Sequence, residues 1–305
     1  MRMNKLLLAY PRQFQWQEEE IPPLQEDHVL VKTTLASFSS GRDLGRYLGS
    51  APFGYPAVVG YEAVGTVAAC GSGVKQLAQG DRVAAFYGTG TYGVVPESDA
   101  IKLPPGIPDI IGLMAGPSSR IINGIRKSNP KATKPILITG AGFQGLLTLY
   151  ILKASGKEYV DVVEPLPERR RLAREMGSRW AVTREEFLDV GGLYPLAMEC
   201  SSRNEAFRLL QERMLPEGII LVFSDGSADP MVLTPLFHDK RLTVIGSSHS
   251  EDNQPYSGWF FDQVRENPGR LKSMFDLTIG PGEIEETFRS LALGIINPIR
   301  IVLEF

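Results

Sequence analysis

Between about residues 135 and 247, short β-branched runs alternate with longer stretches whose apolar residues recur at helical spacing. This pattern predicts strands at 135–139, 159–164, 195–199, 218–223 and 242–246, and helices at 144–155, 167–177 and 203–214. Strand and helix in alternation specify a parallel sheet covered on both faces. The first 104 residues have another texture. Runs such as His28-Val-Leu-Val-Lys-Thr-Thr, Ala63-Val-Gly-Thr-Val-Ala and Asp81-Arg-Val-Ala-Ala-Phe-Tyr, punctuated by Gly and Pro, predict a small all-β unit. Near the end, Pro281-Gly-Glu-Ile-Glu-Glu-Thr-Phe-Arg-Ser-Leu reads as an amphipathic helix, and Pro298-Ile-Arg-Ile-Val-Leu-Glu-Phe as a terminal strand.

Composition removes several classes of function. At 305 residues the chain has room for two domains, or for one inserted in another. Charged residues make up 22% and the net charge is −3, so nothing favours nucleic acid or acidic membranes. The run Glu168-Arg-Arg-Arg171 reads as a solvated helix face. Leu6–Leu8 is too short for the apolar part of a signal peptide, and no apolar stretch approaches the roughly 18 residues of a membrane span. A cytoplasmic protein is expected. Two cysteines, Cys70 and Cys200, are too few for a disulfide framework and read as small buried hydrophobes.

The strongest local signal is Ile136-Leu-Ile-Thr-Gly140-Ala-Gly142-Phe143-Gln144-Gly145, with Val160-Asp-Val-Val-Glu164 beyond it. Gly140 permits the tight turn, Gly142 lets backbone approach a diphosphate, and Gly145 lets the new helix pack on the strand. The helix start at Phe143 and Gln144 offers unpaired N–H groups and a partial positive charge to phosphates. Glu164 follows Gly145 by 19 residues, where a carboxylate can accept from the adenosine ribose hydroxyls. Such a carboxylate repels a 2′-phosphate, so NAD is expected rather than NADP, although Arg169 and Arg170 nearby leave some room for NADP. Ligands bind at the carboxyl ends of parallel strands. Cys200-Ser201-Ser202 should therefore line the adenosine half, and Phe223-Ser224 the nicotinamide half.

A β-rich start, a dinucleotide motif and a short C-terminal return resemble the medium-chain dehydrogenase/reductase superfamily, which includes the zinc alcohol dehydrogenases. Gly60-Tyr-Glu62-Ala-Val-Gly65-Thr-Val and Gly80-Asp-Arg-Val83 are further landmarks, and the resemblance covers nearly the whole chain. It implies an α/β chain made of a GroES-like β-rich catalytic domain plus a Rossmann doubly wound parallel sheet. The catalytic domain is expected to be discontinuous, at 1–120 and 248–305, with the NAD-binding domain at 121–247. A homodimer acting on a small-molecule substrate is expected.

The departures from the family are informative. Zinc-using members carry Cys-Gly-Ser/Thr-Asp, then Gly-His-Glu, then a Cys or Glu before the cofactor domain. Here these read Ser40-Gly41-Arg42-Asp43, Gly60-Tyr61-Glu62 and Met114-Ala-Gly116-Pro117. Zinc needs about three strong N, S or carboxylate donors, and a serine, a tyrosine and a glycine supply none. The cysteine-rich lobe for a second zinc is also missing between Phe86-Tyr87 and Gly90-Thr-Tyr92, so a zinc-free member is expected.

Without a Lewis acid, another group must manage the alcohol proton. Tyr61, in a vacated ligand position, is expected to point into the cleft between the domains, with Arg42 as cationic partner and Ser40 as hydrogen-bond donor. Asp43 and Glu62 match family positions that support the metal ligands. Tyr61 could equally fill the volume the metal leaves. His249 could face the nicotinamide end or lie at the surface. Three functions stand at this point. The first is a zinc-independent, NAD-dependent dehydrogenase of a secondary alcohol or ketone in a biosynthetic pathway; its short motifs look most like the bacteriochlorophyllide hydroxyethyl dehydrogenases. The others are a zinc-free NAD(P)H-dependent reductase of activated double bonds and a non-catalytic NAD-binding protein.

Overall fold

The computed structural model describes residues 1–50, 54–129, 134–224, 229–247, 254–265 and 269–305. His249 lies outside the described residues. The chain divides into two compact units, Met1–Gly116 with Asn253–Phe305, and Pro117–Asp252.

The second unit is built on a parallel sheet. Its six strands lie side by side in the order Trp180–Val182, Val160–Val163, Ile136–Thr139, Tyr194–Glu199, Met214–Val222, Thr243–Gly246. Every residue of Ile136–Thr139 and of Val160–Val163 is buried, which is why both segments read as largely apolar rather than alternating; the charged exception, Asp161, is buried and ion-paired with Arg179. The chain winds outward on one side of Ile136–Thr139, then crosses back to Tyr194–Glu199 on the other. At such a reversal the loops leaving neighbouring strands part, and a crevice opens at their carboxyl ends. Helices Phe143–Ala154, Pro167–Glu175 and Asn204–Arg213 occupy the expected connections. Trp180–Val182 and the helix Arg184–Val190 were not expected; Thr183 and Glu186 start that helix with a reciprocal cap.

The first unit carries two sheets among the described residues. The larger runs Leu277–Ile279, Ile301–Glu304, His28–Phe38, Glu62–Cys70, Arg82–Phe86, Ile101–Lys102, with Tyr92–Pro96 also paired to His28–Phe38. The smaller joins the hairpin Arg2–Tyr10 and Gln13–Glu20 to Ala57–Val58. Ile301 pairs with Phe38, so the chain's last strand returns to its first β region. Helix Ile284–Ala292 buries Ile284, Thr287, Phe288 and Leu291, the face a 3.6-residue period creates. Phe288 sits within 4.9 Å of the Phe14 ring and 5.4 Å of those of Phe38 and Tyr47. Burial of that side chain contributes about 1.5–3 kcal/mol.

The N-terminal region is not purely β. Arg42–Leu48 forms a helix, stopped at Gly49, whose φ of +71° suits glycine and whose N–H bonds the Arg46 carbonyl. The cysteine expectation is also corrected. Cys70 ends its strand in an exposed position, whereas the Cys200 thiol is packed inside, and burial pushes its pKa up. No helix among the described residues is long and apolar enough to cross a membrane.

Candidate active site

In the parallel-sheet unit the glycine turn has the predicted physical roles. Gly140 adopts φ +86°, and its backbone lies against Ser201, whose Cβ would be 3.0 Å from any Cβ added at Gly140. A Cβ on Gly145 would stand 1.8 Å from the Gly140 carbonyl oxygen, so only glycine permits this helix–turn contact. Gly142 caps the helix Phe143–Ala154 in an extended conformation, and a side chain there would meet only the Arg169 guanidinium, at 3.7 Å. The space over the turn is open. Phe143 is buried behind it, and the Gln144 amide oxygen is buried without a hydrogen-bond partner among the described residues.

Glu164 follows the strand Val160–Val163 and is almost wholly buried. Its Oε2 accepts from the Ala141 amide at 2.6 Å and its Oε1 from the Leu166 amide at 3.0 Å. The carboxylate is thus fixed beside the turn by backbone donors. Arg170 donates to the carbonyls of Glu164 and Pro165 at 2.9 and 2.5 Å. Arg169 and Arg170 are half-buried while Arg171 is exposed, so the basic run is not one solvated face. Ser201 and Ser224 meet on Glu199, where both hydroxyls donate to its carboxylate, and Phe223 is buried. A glycine turn with room at Gly142, the N-terminal end of a 12-residue helix and a fixed carboxylate fit a dinucleotide.

In the β-rich unit Tyr61, Arg42 and Phe86 form a stack. The Tyr61 ring is half-buried, with its centroid 5.5 Å from that of Phe86 and the planes inclined by 31°. The Arg42 guanidinium stands over the Tyr61 face, 5.3 Å from the centroid. This is a cation–π arrangement. Ser40 donates to the Ile299 carbonyl over 3.4 Å. Asp43 opens the short helix Arg42–Leu48 and is buried; its Oδ2 accepts from the Ser39 amide at 2.7 Å, while Oδ1 has no hydrogen-bond partner among the described residues.

Glu62 is buried and ion-paired with Arg300, a partner 238 residues away. Ser37 joins them, receiving from Arg300 at 2.9 Å and donating to Glu62 at 3.2 Å. Burial holds the Arg300 pKa below its ordinary value, and the Glu62 carboxylate partly restores it. Arg300, Ser37, Phe86 and Glu199 were not among the expected site residues. For Arg300 and Glu199 a signal existed: Glu199 closes the apolar strand Tyr194–Glu199 and Arg300 stands between Ile299 and the apolar start of Ile301–Glu304, and a charge in such a place demands a buried partner.

The residues at the three positions expected to match zinc ligands do not suit the metal. Ser40 and Tyr61 offer hydroxyls in place of the thiolate, imidazole or carboxylate donors that zinc prefers. Gly116 has no donor, and a Cβ there would lie 2.0 Å from Phe86 Cζ, so the aromatic ring occupies the space a ligand side chain needs. Among the described residues no group of three or more His, Cys, Asp or Glu is gathered to hold a metal ion.

Fold, glycine turn and β-rich unit together define an oxidoreductase architecture, and the sequence relatives agree. Residues 25–106 match the alcohol dehydrogenase GroES-like domain. The chain is 30% identical over 291 residues to the starvation-sensing protein RspB of Escherichia coli K12, covering 83% of this chain and 86% of that protein. It is 29% identical over 199 residues to the L-threonine 3-dehydrogenase of Pyrococcus furiosus, covering 54% of this chain and 57% of that enzyme. The protein described as the short chain alcohol dehydrogenase rspB of E. coli CFT073, solved with NADH, has the same fold, with a TM-score of 0.85 at 22% identity over 100% of this chain and 99% of that one. The chain belongs to the medium-chain dehydrogenase/reductase superfamily.

Proposed function

We propose that this protein transfers a hydride between NAD and a secondary alcohol or its ketone without catalytic zinc. In this reading the discontinuous β-rich unit is the catalytic domain and the parallel-sheet unit binds the cofactor. The observation that carries the metal-free part is the Phe86 ring standing where a ligand from position 116 would begin, with Tyr61 stacked on it.

NAD would be held by the Gly140–Gly142 turn and the first N–H groups of Phe143–Ala154, with Glu164 toward the adenosine ribose. When bound, the cofactor supplies the site that accepts or donates the hydride. Glu164 carries negative charge close to the turn, which supports NAD over NADP. Tyr61 would exchange the alcohol proton through its phenol, and the guanidinium of Arg42 over its ring would hold that ring in place. Ser40 would donate a hydrogen bond to the substrate oxygen, and the buried pair of Glu62 with Arg300 keeps the strand behind Tyr61 in place. Superfamily membership supports a small-molecule substrate; a biosynthetic role in the cytoplasm, as a homodimer, completes the proposal.

The test is hydride transfer by chelator-treated protein, followed through nicotinamide absorbance over a panel of secondary alcohols and ketones. Turnover with NAD and no response to added zinc is expected. Activity that appears only with zinc, or that prefers NADP, contradicts the proposal. Tight NADH binding with no turnover on any panel member favours a non-catalytic protein.

A further inference from the structure

Glu199 is a buried carboxylate that the proposed chemistry leaves unused. It ends the strand Tyr194–Glu199, it is fully inaccessible to solvent, and no cation pairs with it among the described residues. A buried charge without a counter-ion must be met by hydrogen-bond donors. Here Oε1 accepts from the Ser201 amide at 2.7 Å and the Ser201 hydroxyl at 2.5 Å. Oε2 accepts from the Ser224 hydroxyl and, at 3.4 Å, from the Ser202 amide. The donors come from two strand ends, one following Tyr194–Glu199 and the other following Met214–Val222.

Two features show that this clasp shapes the turns rather than merely satisfying a charge. Ser202 is held at φ +58°, a left-handed conformation that a serine keeps only when its surroundings enforce it. Ser201 in turn forms the wall against which Gly140 packs, with its amide nitrogen 3.1 Å from the position of a Gly140 Cβ. A shift at Glu199 is therefore transmitted directly to the glycine turn.

We propose that Glu199 is a positioning residue for the dinucleotide: its carboxylate ties Ser201–Ser202 to Ser224, so that the two neighbouring strand ends on one side of the Gly140–Gly142 turn hold one shape. This rests on reading that turn as a dinucleotide site. Glu199 touches no reacting atom in this role, so its removal acts on cofactor affinity and on local backbone order.

The experiment compares the full-length parent with Glu199→Gln, Ser224→Ala and the double variant. Gln keeps the volume but replaces one acceptor oxygen with an NH2 donor, which sets donor against donor at the Ser202 amide or, with the side chain flipped, at the Ser201 amide. NADH affinity is measured by calorimetry, and amide exchange across 199–204 is measured without cofactor. Glu199→Gln is expected to weaken NADH binding about tenfold, the size of one hydrogen bond to a charged group. Ser224→Ala should weaken it less, and the double variant no further than Glu199→Gln alone, because both cut the same clasp. Exchange at Ser201 and Ser202 should quicken while the rest of the sheet is unchanged. NADH binding within about twofold of the parent in the folded variants overturns the role. If Glu199→Gln fails to fold, Ser224→Ala decides by the same measure. A parent that binds no NADH removes the dinucleotide reading, and this role with it; a parent that binds beside variants that bind equally removes only the role of Glu199.

Discussion

Replacing Arg300 with methionine isolates the buried ion pair of the β-rich unit. Arg300 is 4% exposed and Glu62 5%, so water cannot compensate when the guanidinium is removed. The variant keeps most of the apolar stem but loses the ion pair to Glu62 and the two donors to Ser37, at 2.9 and 3.3 Å. What remains is a carboxylate held from solvent that still accepts from the Ser37 hydroxyl but has lost the Arg300 guanidinium. Breaking a buried pair from one side costs about 3–5 kcal/mol, a large share of the 5–15 kcal/mol that stabilises a typical domain. Arg300→Met is therefore expected to unfold at clearly lower urea concentration. The double variant Arg300→Met/Glu62→Gln, which also removes the stranded charge, should recover part of the loss.

The pH dependence follows from the same charge. In Arg300→Met, burial raises the folded-state pKa of Glu62 above its unfolded value of about 4.3. The folded variant then binds the proton more tightly than the unfolded chain does. Its deficit is full above the raised folded pKa and shrinks as pH falls toward about 4.3. Urea unfolding of the parent and both variants across this range reads all these effects. A deficit below about 1 kcal/mol at neutral pH, or a double variant no more stable than Arg300→Met, refutes the reasoning.

Other substitutions probe the two halves of the proposal. Tyr61→Phe should lower turnover about 10²–10⁴-fold with NAD affinity unchanged, as steady-state kinetics and calorimetry will show; a loss well below tenfold returns Tyr61 to a space-filling role. Glu164→Ala should erode the preference for NAD over NADP, read as the ratio of their dissociation constants. Gly145→Ala forces a Cβ to within 1.8 Å of the Gly140 oxygen unless the helix moves. It should cost about 1–3 kcal/mol in thermal unfolding and weaken NADH binding, and a variant with parental affinity contradicts the assigned role of that glycine.

The parallel-sheet unit was legible because its signals are local. Ile136–Thr139 is buried on both faces and so reads as an unbroken apolar run, and the glycine turn follows directly. The hairpin strand Gln13–Glu20 was missed because it buries almost nothing, and its sequence Gln-Phe-Gln-Trp-Gln-Glu-Glu-Glu has no core-facing alternation. The helix Arg42–Leu48 was missed because seven residues between Gly41 and Gly49 are too few to show helical periodicity.

In the site, Tyr61 and Arg42 were named from their positions and meet as a stack. Their third partner, Phe86, reaches them through the pairing of Arg82–Phe86 with Glu62–Cys70, a register that local sequence does not encode. Arg300 was visible as a charge just before the apolar strand Ile301–Glu304, but its partner Glu62 lies 238 residues earlier. Such contacts belong to the tertiary fold alone.

The claim of a metal-free nicotinamide enzyme is tested most directly by native mass spectrometry of protein purified from zinc-supplemented cells and mixed with NAD. The predicted spectrum shows one NAD added to each chain and no species carrying zinc. A chain that retains one zinc through purification, or that takes up no NAD, contradicts the account.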